Sequence, residues 1–305
     1  MNINDIRCIL IVGMGTMGQK IALQCATHGY EVIAYDVSRQ SLETARANIK
    51  CYAEQLVDQK RLTPEESNVA LARISFTTNP DEGTRVDLLS ESVPEDPDLK
   101  AKVFAQFNRI CPPHTIFTTN TSTLVPSLYA EATGRMKQFV ALHFYGVWDH
   151  NLADIMPHPG TSPETVKIVT AFAKRIGQVP FVFKKEIPEY VANAILAAIA
   201  STALKLVFVD EVASVEDVDR AQMIVMGMPI GPFGWLDYVG LDTVLQITQR
   251  KAEISDDTQL QTEADRLKSE YVDKGWLGVK SGRGFYTYPD PAYAHPDFLT
   301  GAAGS

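Results

Sequence analysis

Gly-Met-Gly-Thr-Met-Gly at residues 13–18 constrains this chain more than any other stretch. It follows RCILIV (7–12), a short apolar run rich in β-branched residues, and precedes a segment in which Ile21, Ala22, Cys25 and Ala26 share helical spacing before Gly29. Such patterns read as a strand and then a helix, with Gly29 as a C-terminal cap. A second strand, EVIAYD (31–36), ends on an acid. A lone Gly-x-Gly-x-x-Gly is weak, but between a strand and a helix, with an acid closing the next strand, it is informative. Gly13 permits the tight turn, Gly15 lets a pyrophosphate approach the backbone, and Gly18 lets helix and strand pack closely. With Thr16 and Met17 the turn forms a helix N-terminus whose free N–H groups and partial positive charge face phosphates. Asp36 can accept hydrogen bonds from both ribose hydroxyls and repels a 2′-phosphate, which favours NAD over NADP.

Further on, Leu42, Ala45, Ile49, Ala53 and Leu56 predict one long helix over 38–59. TPEE (63–66) supplies an N-cap threonine, a proline at the first helical position and a glutamate at the third, and so starts another helix. The pair is expected to project from the sheet edge as a hairpin. It is either a scaffold insertion or a ligand arm, with Lys50, Lys60 and Arg61 as phosphate contacts. Strands resume at RISFT (73–77), DLLSESV (87–93), TIFTT (115–119), QFVALHF (138–144) and VPFVFKK (179–185), with helices near 97–110 and 163–176 between them. Alternating strands and helices argue for an α/β fold with a mostly parallel, doubly wound sheet. Ligands in such sheets bind beyond the carboxyl ends of the strands. GMGTMG, ESVPED, TTNTST and HFYGVWD are therefore expected around one cleft, with His143 at its rim.

After about residue 185 the strand pattern ends, and 187–213, 215–226, 232–251 and 256–274 read as helices. Two domains are expected: residues 1–185, which bind the dinucleotide, and residues 186–305, all-helical, closing the cleft and forming a homodimer interface. VANAILAAIASTALKLVFV (191–209) is apolar, but its Asn193, Ser201 and Lys205 suit a buried core helix better than a membrane span. Asn193 must hydrogen-bond either a backbone carbonyl or a ligand in the cleft. The net charge of −9 comes without a basic patch, which argues against nucleic acid and anionic membrane as partners. Cys8, Cys25, Cys51 and Cys111 show no CxxC spacing and are read as free thiols in a reducing cytoplasm. No Cys/His cluster has ligand spacing, so no metal is expected. His150 and His158 are both read as solvated.

The ordered set GMGTMG, ESVPED, NTST, LHF, the asparagine of EYVANAIL, PIGPFGWLDYVGLD and GVKSGRGFYTY resembles the L-3-hydroxyacyl-CoA dehydrogenase family over nearly the whole chain. The resemblance implies a Rossmann-like domain with a helical hairpin insertion, followed by an all-helical dimerising domain. It implies that His143 is the catalytic base, paired with Asp154, which stands where the family has a glutamate if the intervening loop is one residue shorter. Ser122 matches the serine that hydrogen-bonds the reacting oxygen, and Asn193 the asparagine near the same carbonyls. Glu95, Lys100 and the Asn120 of NTST fall among the cofactor contacts. The chain departs from the family pattern where Gly146-Val147-Trp148-Asp149 replaces the residues after His-Phe-Phe, and where Glu189 and Ala194 replace a glycine and an arginine. Those changes are expected to flank the substrate pocket.

Three functions are compatible with this reading. The leading one is an NAD-dependent dehydrogenase of a short-chain 3-hydroxyacyl-CoA, such as 3-hydroxybutyryl-CoA. The second is a dehydrogenase of a free 3-hydroxy acid, of L-gulonate or carnitine type. The third is a non-catalytic NAD-binding protein, against which Ser122, His143 and Asn193 argue together.

Overall fold

β1 (Cys8–Val12) is buried at every residue and runs directly into the glycine turn. The computed structural model describes residues 2–301, and the chain divides into two units, Met1–Tyr190 and Val191–Ser305. In the first unit β1 is joined by β2 (Glu31–Tyr35), β3 (Ile74–Thr77), β4 (Leu88–Glu91), β5 (Ile116–Thr119), β6 (Phe139–Phe144), β7 (Leu152–Met156) and β8 (Val179–Val182). The sheet order is β3-β2-β1-β4-β5-β6-β7-β8, and all neighbours are parallel except β6 and β7. The chain thus leaves β1 in both directions, and the switch point lies between β1 and β4.

Alternation along β1 feeds two cores. Ile9 and Ile11 pack on one face, with residues of α1 (Thr16–Thr27), α2 (Arg39–Asp58) and α5 (Pro163–Arg175). Cys8, Leu10 and Val12 pack on the other, with Phe104 and Phe107 of α4 (Pro97–Asn108). A parallel sheet covered on both faces reads as continuous apolar strands, as here. The caps are local and follow the sequence. Thr63 and Glu66 form a reciprocal capping box at the start of α3 (Pro64–Ala72), and Ser162 accepts from the Thr165 N–H at α5. Each such cap contributes about 1 kcal/mol.

Four expectations change. The hairpin of α2 and α3 does not project: both helices pack against α1, and Leu42, Ala45, Ile49, Ala53 and Ala70 join its core. β7 is missing from the strands expected from the sequence, and it is the antiparallel member of the sheet. The helix read over 232–251 is two helices, α8 (Pro232–Val239) and α9 (Leu241–Ser255), broken at Gly240, whose φ is +96°.

The fourth concerns α6 (Val191–Phe208). It is not a buried core helix: only Ala203, Leu204 and Phe208 are buried along it. By length and composition alone it is the one helix among the described residues apolar enough to cross a membrane. Asn193 sits in its first turn.

The second unit is completed by α7 (Val215–Met226) and α10 (Thr258–Glu270). Two buried aspartates explain its motifs. Asp219 accepts from the N–H groups of Phe233 (2.8 Å) and Gly234 (3.0 Å) and from the Tyr286 hydroxyl (2.9 Å). Asp237 accepts from the N–H groups of Phe285 and Tyr286, both at 2.9 Å. Each satisfies donors that have no other place to go. A Cβ at Gly231 would collide with Asp219, and one at Gly284 with Asp237. PIGPFGW and SGRGFY are therefore scaffold motifs.

Candidate active site

The glycine turn is built for a ligand. Gly13 takes φ +96° and donates its N–H to Tyr35 O at 2.9 Å. A Cβ on Gly18 would strike Gly13 O, so only glycine lets α1 start here. A Cβ on Gly15 would meet no heavy atom within 4 Å, which leaves the turn open to close approach from outside. No side chain caps the start of α1. Thr16 and Met17 thus open a helix whose first donors are available to an anion. Asp36 accepts from Met14 N (2.9 Å) through one oxygen and from Ser38 N (2.9 Å) through the other. It is half-buried and tied to the turn beside it, as a ribose-binding acid must be. These features fit NAD.

The sheet edge continues without a gap toward His143. A Cβ on Gly13 would lie 2.7 Å from Ser92 O, just beyond β4. Asn120, after β5, reaches Ser92 Oγ (3.5 Å) through its Nδ2 and accepts from Phe144 N (3.1 Å) through its Oδ1. Glu95 gathers the NTST loop: Thr121 Oγ1, Ser122 N (3.1 Å) and Thr123 N (3.3 Å) all donate to its Oε1. Burial pushes the Glu95 carboxyl up, but the Thr121 hydrogen bond and the Lys100 charge outweigh it and hold the group below its ordinary range. Ser122 is half-buried on that loop.

Lys100 was expected to touch the cofactor, yet it is fully buried. Its Nζ donates to Glu91 Oε1 (2.8 Å) and Oε2 (3.1 Å) and to Val93 O (3.3 Å), and lies 3.3 Å from Glu95 Oε2. It therefore holds the wall of the site from behind. Burial raises the Glu91 carboxyl against the pull of Lys100 and of Thr119, which donates to it at 2.6 Å. Glu91 was not singled out in the sequence. The acidic first letter of ESVPED was its only signal.

His143 lies near the carboxyl end of β6 and is directly opposite Asp154 in the β6–β7 register. His143 Nδ1 is 3.4 Å from Asp154 Oδ2, with the two residues 6% and 1% exposed. Tyr145 donates its hydroxyl to the same Oδ2 at 2.7 Å. The imidazole is flanked by the rings of Tyr145 (centroids 4.5 Å apart) and Tyr190 (5.0 Å). Neither tyrosine was anticipated. A carboxylate facing Nδ1 favours the tautomer with its proton there, leaving Nε2 as the basic nitrogen. Asn193 belongs to the second unit.

Two further readings change. His158 is buried rather than solvated: Gly160 N donates to its Nδ1 at 3.0 Å and its Nε2 donates to Met136 O at 2.9 Å. Burial lowers its pKa. Trp148, expected beside the substrate, turns onto α1 and α2. Its Nε1 donates to Gln24 Oε1 at 2.7 Å, and its ring meets Tyr52 edge-on at 5.6 Å.

A dinucleotide turn that shares its sheet edge with a buried, carboxylate-facing imidazole is the arrangement of an NAD-dependent dehydrogenase, with separate places for hydride acceptor and proton acceptor. Comparison with known proteins narrows this. Residues 8–187 match the 3-hydroxyacyl-CoA dehydrogenase NAD binding domain, and residues 190–288 match the C-terminal domain of the same family. A probable 3-hydroxybutyryl-CoA dehydrogenase of Bacillus subtilis is 32% identical over 287 residues, covering 94% of this chain and 99% of that protein. The crystal structure of (S)-3-hydroxybutyryl-CoA dehydrogenase from Ralstonia eutropha is 32% identical with a TM-score of 0.83, covering 94% of this chain and 100% of that one. A diketoreductase acting on dicarbonyl compounds is 36% identical with a TM-score of 0.85, covering 93% of this chain and 99% of its own. The chain belongs to the 3-hydroxyacyl-CoA dehydrogenase family. It is an oxidoreductase and its cofactor is NAD.

Proposed function

We propose that this protein interconverts a short-chain 3-hydroxyacyl-CoA, such as 3-hydroxybutyryl-CoA, and the corresponding 3-oxoacyl-CoA. The bound nicotinamide accepts a hydride from the substrate in one direction and returns it in the other. His143 Nε2 takes the hydroxyl proton during oxidation and gives it back during reduction. Asp154 holds the ring in the productive tautomer and stabilises its cation. Ser122 hydrogen-bonds the reacting substrate oxygen, and Glu95 shapes the loop that carries Ser122.

The observation that carries the reading is the His143–Asp154 pair, fixed by strand register at the edge that also bears the dinucleotide turn. A substrate panel tests it. Acetoacetyl-CoA should be reduced with NADH far better than free 3-oxo acids, and the opposite order would reject the CoA thioester. A second class, small dicarbonyl compounds without CoA, is supported by the hairpin. Arg61 there donates to Trp148 O at 3.1 Å, which turns one of the three basic groups that could meet a nucleotide phosphate onto the protein itself.

The second unit also supports a homodimer. Ile195, Ile224, Val225 and Met226 are 58%, 55%, 79% and 66% exposed, and apolar exposure of this kind marks an interaction surface. The partner is a second copy of the chain, and sedimentation at micromolar concentration tests it. The four free cysteines, three of them buried, support a reducing, cytoplasmic setting.

A further inference from the structure

Asp154 is a short carboxylate for its place. Across an antiparallel pair, directly opposite side chains start about 5 Å apart at Cβ. An aspartate spanning that gap to an imidazole has one carbon beyond Cβ with which to aim. Its Oδ2 comes within 3.4 Å of His143 Nδ1, beyond the usual limit of about 3.2 Å for a good N–H···O bond. The same oxygen receives a far better bond, 2.7 Å, from the Tyr145 hydroxyl. Tyr145 lies two residues after His143, one residue past the end of β6, and both side chains reach the same carboxylate. Their rings meet edge-on, with centroids 4.5 Å apart and an interplanar angle of 64°. One residue thus touches both members of the pair. The fully buried Tyr190 ring also packs against the imidazole, with centroids 5.0 Å apart.

We propose that Tyr145 is a positioning residue that completes a Tyr145–Asp154–His143 chain. Its hydroxyl anchors the short carboxylate against His143 Nδ1, and its ring edge fixes the imidazole plane. The inference rests on His143 being the base. Without the hydroxyl, a buried carboxylate loses its shortest bond and turns toward whichever donor remains, carrying the imidazole out of line with the substrate. A longer carboxylate would reach Nδ1 without the anchor.

The test is a double-mutant cycle of Tyr145→Phe and Asp154→Glu, which measures whether two side chains act through one another. In the natural background Y145F should lower kcat about tenfold, a fraction of the 10²–10⁴-fold scale of acid–base catalysis, with the Kd for NADH unchanged. In the D154E background the same change should lower kcat less than twofold. Equal losses in both backgrounds would overturn the proposal, as would a wild-type kcat in Y145F. A Y145F protein that no longer bound NADH would overturn it as well, because the residue would then hold the fold rather than the base. His143→Ala separates the two claims. If that variant stays active, the base assignment fails; if it is dead while Y145F is unaffected, only this inference fails.

Discussion

His143 on β6 and Asp154 on β7 are register partners in the sheet's antiparallel pair, with Nδ1 and Oδ2 3.4 Å apart. Eleven residues separate them in sequence, and the strand pairing rather than either side chain sets their approach. Because register is fixed by the backbone, replacing the acid should leave the ring's surroundings in place. Asp154→Asn is therefore expected to keep the fold and NADH affinity while lowering kcat by 10-fold to 100-fold, on the general scale of acid–base effects. Stopped-flow kinetics with fluorescence titration of NADH separates the two. A loss confined to NADH affinity would contradict the pairing.

Asp36 ties the cofactor specificity to the geometry of the turn. Its carboxylate accepts from Met14 N and Ser38 N, both at 2.9 Å. With the adenosine ribose at Asp36, as the proposed function has it, Asp36→Ser removes the charge that opposes a 2′-phosphate and a charge-assisted bond of about 1.5–3 kcal/mol. The KM for NAD should rise roughly 10-fold or more, and the NADP-to-NAD ratio of kcat/KM should rise with it. Steady-state kinetics with both cofactors checks this.

Lys100 is buried among Glu91, Glu95 and the Val93 carbonyl. Lys100→Met leaves Glu91 without its counter-charge, and breaking a buried pair in this way costs about 3–5 kcal/mol. Urea unfolding of the first unit should show the loss. It should shrink on acidification, because burial already raises the Glu91 carboxyl and a protonated Glu91 needs no partner.

Glu263 in α10 is 2% exposed, and burial followed by the Asp257 charge pushes its carboxyl from 4.5 to about 7. The folded state binds this proton more tightly than the unfolded chain does. The stabilisation it brings is complete below pH 4.5 and is lost as pH rises through about 7. Glu263→Gln keeps the neutral form at every pH. Its melting temperature should equal that of the natural protein near pH 4.5 and exceed it increasingly up to pH 7, as calorimetry across that range would record.

Much of the dinucleotide half was legible because its signals are local. The glycine turn, Asp36, the Thr63 cap and the Ser162 cap each depend on neighbours within a few residues, and the structure holds each in its expected local setting. What escaped depends on distant partners. Asp219 and Asp237 look like ordinary acids until Phe233, Gly234, Phe285 and Tyr286 fold onto them. Lys100 resembled a ligand contact because nothing local shows that Glu91 will lie beneath it. β7 was hidden because LADIM is short, and only pairing with β6 makes it a strand. Tyr145 was read as part of a loop after His143, and its bond to Asp154 needs that same pairing. Trp148 looked like a pocket residue by proximity, whereas the backbone at Val147, with φ +69°, turns the chain toward Gln24 and Tyr52.

In the proposed function His143 moves the proton while the glycine turn holds the cofactor, and single-turnover kinetics of His143→Ala separates the two roles. The variant should bind NADH with unchanged affinity and reduce acetoacetyl-CoA at least about 100-fold more slowly than the natural protein. Reduction at the natural rate with intact NADH binding would contradict the account.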